Sequence, residues 1–339
     1  MCGKTSTKDI IANVLAQKFT VLKTEGNLNN HIGLPLTLLK LKEHTAVVVE
    51  MGMNHFGEIS LLTNIARPTG CVITNIGTSH IGNLGSRENI LKAKLEIIEG
   101  LDESGFVLIN NDNDLLNEWA KKENRKKIYT YGIENKSTYM ADKIITKENS
   151  SRFKINEMEV EVPVGGTHFI YNAICAFATG NLLGIEKEKI VKGISEFKLT
   201  AKRMDIEIIK DDIKIINDSY NASYDSMKAA LEVMNKTEAN RKIAILGNML
   251  ELGDYAKELH AKVGEEVVKN NIDILITVGD YAKDIGNRAE ELGMKSILKF
   301  NNKGDAARFI KENMKSRDLI LLKASNSMKF SEILDYLKK

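Results

Sequence analysis

Short, continuous runs of apolar residues recur along this chain at the length of a β-strand, and amphipathic helical patterns separate them. The runs TAVVVEM (45–51) and TGCVITNIG (69–77) come first, and after residue 200 the rhythm restarts with IKIIND, RKIAILGNM, IDILITVGD and DLILLKAS. Apolar runs of this length are typical of parallel strands that are buried on both faces. Their alternation with helices predicts an α/β fold with doubly wound parallel sheets.

Two such series imply two domains, and a chain of 339 residues also suggests this at roughly 100–200 residues per domain. The stretch FKLTAKRM joins the series, so we place the first domain at residues 1–199 and the second at residues 200–339. Within the first domain, KKIYTYG and FKINEMEVEVPV alternate in polarity and predict a local antiparallel part. The stretch HFIYNAICAFATGNLLGI then predicts a helix.

The composition argues against several classes of protein. A net charge of +2 gives no general attraction to nucleic acid, and no apolar run approaches the ~20 residues that span a membrane. The three cysteines (Cys2, Cys71 and Cys175) show no metal-ligand spacing, and the last two lie in apolar runs, as buried free thiols do. We therefore expect a cytoplasmic protein with no nucleic-acid partner and no membrane insertion. The sequence does not show the oligomeric state, for which we expect a monomer.

Polar side chains follow three of the predicted strands at their carboxyl ends. Glu50 ends the run TAVVV, and Asn54 and His55 come soon after it. The run CVITN leads to His80, and the run IKIIN leads to Asp218. Ligands of open α/β sheets bind beyond the carboxyl ends of the strands. Although strands often simply end in polar residues, three such ends beside a Gly-Lys-Thr sequence favour a binding site.

A lysine falls on the apolar face of one predicted helix. The stretch SRENILKAKLEIIEGL (86–101) predicts a helix capped by Ser86, with Lys94 in the middle of an apolar stripe. The stripe consists of Ile90, Leu91, Ile97, Ile98 and Leu101, and the opposite face carries Lys92, Glu96 and Glu99. An inward lysine must reach solvent along the edge of the stripe, pair with an acid, or lose its charge. The spacing leaves all three outcomes open.

The chain opens on part of a phosphate-binding pattern, Gly3-Lys4-Thr5. Phosphate sites use backbone N–H groups at a helix N-terminus, and glycine lets the backbone come close. In complete motifs the lysine reaches the β- and γ-phosphates and the hydroxyl binds Mg²⁺. An apolar helical face follows at once, formed by Ile10, Ile11, Val14 and Leu15. Because Gly-Lys-Thr recurs by chance, this fragment is weak support by itself.

Taken together, an ordered series of segments resembles the Mur ligase family over nearly all of the chain. The segments are GKTSTKD, TEGNLNNHIGLPLTLL, VVEMGMNHFGEI, TNIGTSHIGNLGS, KAKLEII, NDSYNASYDSMKAAL, ILGNMLELG and LLKASNSMKF. The second segment is similar to the branch that joins D-alanyl-D-alanine to UDP-N-acetylmuramoyl-tripeptide. The resemblance implies a P-loop-type, ATP-binding central domain followed by a Rossmann-like C-terminal domain. It also implies an ATP-dependent amide ligase of peptidoglycan precursor synthesis that works through an acyl phosphate.

The same resemblance implies roles for individual residues. Catalytic roles would fall on Lys4, His80 and Lys94. ATP would be contacted by Gly3, Lys4, Thr5, Asn172, Arg203 and Asp218. Mg²⁺ would be held by Thr5, Glu50, His80 and Lys94. The muramoyl-peptide substrate would be contacted by Asn27, Asn29, Asn30, Asn54 and His55.

Two further expectations come from the resemblance. Lys94 matches a lysine that CO₂ carboxylates at N6, which would turn the inward cation into an anionic metal ligand. The segments NMLELG and KASNSM would lie toward the incoming dipeptide. Within them, Asn248 and Asn326 stand where the family usually has Asp and Arg.

The chain departs from the family pattern at its start. The family has an N-terminal UDP-binding domain, a strand leading into the ATP loop, and a loop glycine that would fall upstream of Met1. Absence of that strand predicts an unpaired gap in the parallel sheet with exposed apolar edges. We therefore expect the chain as given to fold poorly, or to bind ATP and the UDP-substrate weakly.

Three interpretations stay open at this point. One is a truncated cell-wall ligase, and another is a related amide ligase such as a folylpolyglutamate synthetase, which TEGNLNN and NMLELG disfavour. The third is a non-catalytic remnant or binding module, suggested by the incomplete phosphate loop. The sequence does not distinguish diaminopimelate from lysine in the tripeptide.

Overall fold

The computed structural model describes residues 3–125, 127–147, 149–199 and 204–339. The chain divides into two compact units. The first comprises the described residues of 2–77 and 83–198, and the second those of 78–82 and 199–339. Both units combine helices with mainly parallel sheets, which confirms the predicted α/β class. Among the described helices, none has the length and apolar character that crossing a membrane requires.

Up to residue 198, helices and strands alternate through most of the chain. The helices are α1 (Lys4–Leu15), α2 (Gly33–Leu38), α3 (Glu58–Ala66), α4 (Ile81–Leu84), α5 (Arg87–Leu95), α6 (Asp114–Lys122), α7 (Thr167–Leu182) and α8 (Lys187–Ser195). The strands are β1 (Val21–Lys23), β2 (Ala46–Val48), β3 (Gly70–Ile73), β4 (Phe106–Asn110), β5 (Ile128–Gly132), β6 (Tyr139–Thr146), β7 (Ser151–Ile155) and β8 (Met158–Val162).

These strands form two sheets. Strands β1 and β2 pair in parallel, and β3 to β8 form a second sheet in chain order. Each neighbouring pair from β3 to β6 is parallel. The pairs β6–β7 and β7–β8 are antiparallel, as FKINEMEVEVPV predicted. The inclusion of KKIYTYG in the antiparallel part was wrong, because β5 runs parallel to both of its neighbours. Its alternating polarity reflects the partial exposure of Ile128, Tyr129 and Thr130.

Helix α1 is held tightly against the rest of its unit. It packs on α7 and α8, and the contacts are close enough to require glycine at two positions. A Cβ added to Gly180 would lie 2.6 Å from Val14 Cγ1, and one added to Gly193 would lie 2.7 Å from Val14 Cα. Since α7 is buried along most of its length, α1 and the turn before it rest on a rigid support.

The helix around Lys94 is shorter than predicted. Ser86 accepts a hydrogen bond from the Asn89 amide and caps α5, as expected, but the α-helix ends at Leu95 and not at residue 101. A 3₁₀ turn, Glu96–Ile98, follows. The Glu96 carboxylate accepts hydrogen bonds from the amides of Gly57 (2.8 Å) and Ser60 (3.1 Å), at the start of α3. This tertiary contact occupies the residue at which α5 stops.

The second unit is a doubly wound domain, as predicted. Its strands are β9 (Asp205–Ile208), β10 (Lys214–Asn217), β11 (Arg241–Gly247), β12 (Ile274–Val278), β13 (Ile297–Phe300) and β14 (Asp318–Lys323). Its helices are α9 (Tyr224–Lys236), α10 (Ala256–Lys269), α11 (Lys283–Glu291), α12 (Lys303–Asn313) and α13 (Ser331–Leu337). The sheet order is β13-β12-β11-β14-β10-β9, and the pairs are parallel except that of β9 with β10. Helices α12 and α13 share one apolar core with the sheet, while α9, α10 and α11 pack together.

Candidate functional site

The residue directly before α1, Gly3, has a left-handed backbone and close surroundings that favour glycine. Gly3 has a φ of 91°, and a Cβ at this position would lie 3.0 Å from Asn172 Oδ1. Thr7 Oγ1 donates a hydrogen bond to the same oxygen at 3.0 Å. Asn172 is 5% exposed, and its Nδ2 is buried without a hydrogen-bond partner among the described residues. The structure thus brings two predicted ATP contacts, Gly3 and Asn172, together.

A buried carboxylate, Glu50, lies against the first turn of α1. Thr5 Oγ1 donates a hydrogen bond to Glu50 Oε2 at 2.8 Å, and Asn29 Nδ2 donates one to Oε1 at 2.9 Å. Lys4 Nζ lies 3.8 Å from Oε1 and donates to the Met51 carbonyl at 2.8 Å. This cluster combines a carboxylate and a hydroxyl, which are oxygen ligands of the kind that Mg²⁺ prefers, at a helix N-terminus that favours anions.

Residues that the sequence did not single out hold this cluster in place. The Thr24 hydroxyl accepts a hydrogen bond from the backbone N–H of Glu50 at 2.9 Å. The backbone carbonyl of Thr24 accepts one from Lys8 Nζ at 2.7 Å. Asp9 lies 3.3 Å from Lys8 Nζ and 2.8 Å from Lys23 Nζ. Thr24 opens the segment TEGNLNN and is fully buried. In the sequence, the signal that could have identified Thr24 is a threonine directly after a short strand.

The predicted substrate residues of the first loop differ in their surroundings. Asn29 belongs to the Glu50 cluster, and its carbonyl also accepts the Gly52 amide at 2.8 Å. Asn30 Oδ1 accepts the amide of Gly33 at 2.8 Å, so this oxygen caps the start of α2. Asn27 is exposed. Their roles toward a substrate stay predictions.

Asn54 and His55 lie on an exposed turn before α3. Both backbone amides donate to Glu58 Oε2. Burial raises the pKa of Glu58, but the two amides and the His55 imidazole outweigh it, so the pKa lies below its usual value. The turn is therefore ordered by its own backbone, and both side chains point away from the core.

Lys94 lies in a network around the loop that follows β3. Its Nζ donates a hydrogen bond to the Asn75 carbonyl. Asn113 Nδ2 donates to Asn75 Oδ1 at 2.9 Å and to the Ile76 carbonyl at 3.2 Å. Arg87 also donates to the Ile76 carbonyl, at 2.9 Å. Asn113 and Arg87 were not predicted, and Asn113 additionally caps α6 by accepting the Leu116 amide.

His80 belongs to the second compact unit. Its φ is 64°, and its Nδ1 lies 2.6 Å from Glu251 Oε2. A hydrogen bond from His80 lowers the pKa of Glu251, although burial opposes this. His80 Nε2 is buried without a hydrogen-bond partner in the described part of the chain. An imidazole whose one nitrogen faces a carboxylate presents the other nitrogen to a ligand.

Asp218, at the end of β10, faces a buried lysine that sequence reasoning did not single out. Lys323 Nζ bonds to Asp218 Oδ2 and to the Asn221 carbonyl, the latter at 3.1 Å. Lys323 is 1% exposed. It ends the run DLILLK, and a lysine at the end of a wholly buried strand was the available signal. Arg203, the other predicted nucleotide contact of this unit, lies outside the described residues.

Each of the predicted metal ligands has a described polar contact. Thr5 and Glu50 touch each other, Lys94 bonds to Asn75, and His80 faces Glu251. Within the ranges that the structure describes, no three His, Cys, Asp or Glu side chains form a group that could hold a metal ion. A shared metal site of Glu50, His80 and Lys94 stays a prediction.

The fold and the α1 turn agree with the family found by comparison. Residues 2–180 match the Mur ligase middle domain, and residues 202–326 match the Mur ligase glutamate ligase domain. The chain therefore belongs to the Mur ligase family, whose members are ATP-dependent ligases that form C–N bonds.

Comparison with individual proteins is more specific than the family match. The chain is 42% identical to the UDP-N-acetylmuramoyl-tripeptide–D-alanyl-D-alanine ligase of Bacillus subtilis, and the match covers 98% of this chain and 73% of that protein. It is 34% identical to the protein of the same name from Synechocystis, over 99% of this chain and 72% of the relative. A crystal structure of MurF from Acinetobacter baumannii superposes with a TM-score of 0.91 at 30% identity, covering 99% of this chain and 75% of that one. MurF ligase from Thermotoga maritima in complex with ADP superposes with a TM-score of 0.87 at 26% identity, covering 99% and 77%.

Proposed function

We propose that this chain catalyses the ATP-dependent addition of D-alanyl-D-alanine to UDP-N-acetylmuramoyl-tripeptide, in the cytoplasm and as a monomer. The observation that carries the proposal is the contact of Thr5 with Glu50 at the N-terminus of α1. It places a hydroxyl, a carboxylate and the Lys4 ammonium together at a helix end suited to phosphate. The substrates are those in the name of the Bacillus subtilis relative. The nucleotide is supported by the Thermotoga maritima MurF structure, which is a complex with ADP.

The reaction has two steps. A carboxylate oxygen of the tripeptide attacks the γ-phosphorus of ATP, the bond from that phosphorus to the β–γ bridging oxygen breaks, and ADP leaves. The amine of D-alanyl-D-alanine then attacks the acyl carbon of the resulting acyl phosphate. The C–N bond forms, the C–O bond to phosphate breaks, and the amine loses a proton. Both steps bring anions together, so positive charge at the α1 turn lowers their barriers.

The residues of the first unit have distinct parts in this scheme. Lys4 would place its charge at the β- and γ-phosphates, and the backbone of Gly3 would approach them closely. The buried Nδ2 of Asn172 lacks a partner among the described residues and would donate to the adenine base. Asn29, held on Glu50, would lie toward the muramoyl-peptide with Asn27, Asn30, Asn54 and His55. In the second unit, Asp218 and Arg203 would contact the nucleotide.

The chemistry of the donor set fits Mg²⁺. Thr5 Oγ1 and the Glu50 carboxylate are hard oxygen donors in contact with each other. His80 Nε2, for which the described residues offer no hydrogen-bond partner, and an N6-carboxylated Lys94 would complete the set. When bound, the metal would neutralise charge on the phosphates. An N6-carboxylated lysine keeps one N–H, so the hydrogen bond of Lys94 to the Asn75 carbonyl is compatible with the modification.

Phosphate release tests the proposal. We expect release that requires ATP, UDP-N-acetylmuramoyl-tripeptide and D-alanyl-D-alanine together. Lys94→Ala should lose this activity and recover part of it when a short-chain carboxylate is added, whereas the exposed Lys92→Ala should behave as the parent. Equal rates for the parent and Lys94→Ala would contradict the role of Lys94.

The alternatives give different results in the same assay. A non-catalytic remnant would bind nucleotide or UDP-substrate without releasing phosphate. A folylpolyglutamate synthetase would release phosphate with a folate and glutamate instead. Comparing tripeptides that carry diaminopimelate or lysine would settle the third residue.

A further inference from the structure

The loop after β11, residues 248–252, is held by hydrogen bonds to its backbone. Ser325 contributes two of them, since its amide donates to the Asn248 carbonyl at 3.0 Å and its hydroxyl accepts the Leu250 amide at 2.9 Å. The Met249 amide between them donates to Nε2 of His260, on α10, at 2.9 Å. His260 is therefore the partner of the central amide of this loop.

The partners of His260 fix its protonation state. Its side chain is fully buried. Nδ1 lies 2.6 Å from the Ala256 carbonyl, an oxygen that can only accept, so Nδ1 carries a hydrogen. Nε2 faces the Met249 N–H, which can only donate, so Nε2 carries none. His260 is a neutral imidazole in a single tautomer.

This arrangement decides which side chains of the loop face outward. Met249 and Leu252 are 1% and 3% exposed, while Leu250 and Glu251, between them, are exposed. Reversing this pattern would bury a charged side chain. A bond to the Met249 amide thus sets the orientation of its two exposed neighbours.

We propose that His260 is a positioning residue that, in its neutral form, holds the 248–252 loop in the conformation that receives the dipeptide substrate. The proposal rests on the proposed function, in which the NMLELG segment lies toward the dipeptide. Protonation would place a hydrogen on Nε2 against the Met249 N–H, so the loop would be released in acid.

Burial favours the neutral form of His260 and is the largest influence on its pKa. The ring of Tyr281 stacks on the imidazole with a centroid distance of 6.0 Å. Asp284, on α11, is the nearby carboxylate, and its charge raises the pKa of His260. Burial has the larger effect and brings the pKa below its usual value of 6.5. The bond to the loop is therefore present near pH 8 and weakens only as the pH falls through the folded-state pKa of His260, which lies below 6.5.

Two substitutions separate the hydrogen bond from bulk packing. His260→Leu removes the acceptor, and His260→Gln keeps an acceptor that does not titrate near neutral pH. At pH 8 we expect the KM for D-alanyl-D-alanine to rise about tenfold in His260→Leu, the scale of one lost hydrogen bond, with the KM for ATP unchanged. His260→Gln should stay near the parent value. His44→Gln, at a histidine of the first unit, is the matched control and should match the parent throughout.

The pH dependence gives a second test that does not need His260→Leu to fold. Between pH 8 and the lowest pH at which the parent stays folded, the dipeptide KM of the parent should rise, whereas that of His260→Gln should rise less. An unchanged dipeptide KM in a folded His260→Leu, or identical pH profiles for the parent and His260→Gln, would overturn the proposal.

Nuclear magnetic resonance separates this proposal from the proposed function. With ¹⁵N-histidine labelling, the imidazole signal absent from His260→Gln should show the Nδ1–H tautomer at pH 8. With ¹⁵N-methionine labelling, the Met249 amide should exchange slowly with solvent at pH 8 and lose protection relative to its neighbours in acid. A charged imidazole or the Nε2–H tautomer at pH 8 would overturn the role of His260. Absence of ligase activity together with the expected spectra would refute the proposed function alone.

Discussion

Thr5 donates a hydrogen bond to Glu50 over a separation of 45 residues, with 2.8 Å between Oγ1 and Oε2. The other carboxylate oxygen accepts the side-chain amide of Asn29. One buried acid thus joins the first turn of α1 to the loop that follows β1. Thr5 and Asn29 donate hydrogen bonds to Glu50, and the Lys4 ammonium lies 3.8 Å from its Oε1, so all three neighbours favour the charged carboxylate.

Glu50→Gln tests whether that charge is needed. The substitution keeps the size of the side chain but removes the charge, and its amide hydrogens would face the donors of Asn29 or Thr5. We expect kcat for phosphate release to fall about 100-fold, the usual cost of removing one electrostatic contact from a transition state. The concentration of Mg²⁺ giving half-maximal rate should also rise. Rates measured over a Mg²⁺ titration provide the check.

Two controls accompany Glu50→Gln, a measurement of its stability and a matched variant. The free energy of unfolding should fall by only about 1–2 kcal/mol. Glu118→Gln, at an exposed position on α6, should leave both the rate and the Mg²⁺ requirement unchanged. If Glu50→Gln kept the parental Mg²⁺ dependence, Glu50 would not hold the metal.

The Asn113 side chain makes two kinds of hydrogen bond, which substitutions can separate. Its oxygen caps α6, and its nitrogen bonds to Asn75 and Ile76 in the loop after β3. Asn113→Ser keeps a capping oxygen but is too short to reach the loop, whereas Asn113→Ala loses both. We expect both variants to slow phosphate release, and only the alanine variant to lose the ~1 kcal/mol that a helix cap supplies. Trp119, the single tryptophan, lies on α6 and reports unfolding there. Equal stability losses in the two variants would contradict this separation.

In the second unit, the sequence predicted the buried central strands more reliably than the strands at the edges of the sheet. The runs IAILG and LILLK are apolar because β11 and β14 are covered on both faces, so their composition alone indicates them. Strands β9 and β13 lie at the edges of the sheet and are half-exposed, so they lack a continuous apolar run.

The same distinction applies to the site. Glu50, Asn172 and Asp218 could be predicted because strand ends and family motifs mark them locally. Lys323 and Asn113 act through partners 105 and 38 residues away, at Asp218 and Asn75, and no local pattern encodes such a contact. The end of α5 was missed for this reason too, since Glu96 bonds to another helix.

Asp112 should make stability depend on acid pH. Its carboxylate accepts the amides of Ile133 (2.6 Å), Glu134 (3.0 Å) and Asn135 (2.6 Å), and the hydroxyl of Tyr171 (2.8 Å). Burial raises the pKa of Asp112, but these donors outweigh it and bring the pKa below the usual 3.8. A depressed pKa stabilises the fold above pH 3.8, and this stabilisation is lost as the pH falls through the folded-state value.

Asp112→Asn measures that contribution. At pH 7 it should lower the free energy of unfolding by about 1–2 kcal/mol, allowing for the partial exposure of the carboxylate. At pH 3 the difference from the parent should shrink, because Asp112 of the unfolded chain, with its usual pKa of 3.8, is largely protonated there. Urea unfolding followed by Trp119 fluorescence at both pH values is the measurement, with Asp142→Asn on the exposed part of β6 as the control. A difference independent of pH would show that the charge of Asp112 is not involved.

Lys323→Met should destabilise the second unit. Lys323 is buried at the end of β14 and pairs with Asp218, so its loss would strand a carboxylate without its cation. Breaking a buried pair in this way usually costs about 3–5 kcal/mol. Urea unfolding followed by circular dichroism should record that loss. The exposed Lys257→Met is the control. A loss below about 1 kcal/mol, the range of an exposed pair, would mean that solvent already reaches Asp218 and that the pair does not order the end of β10.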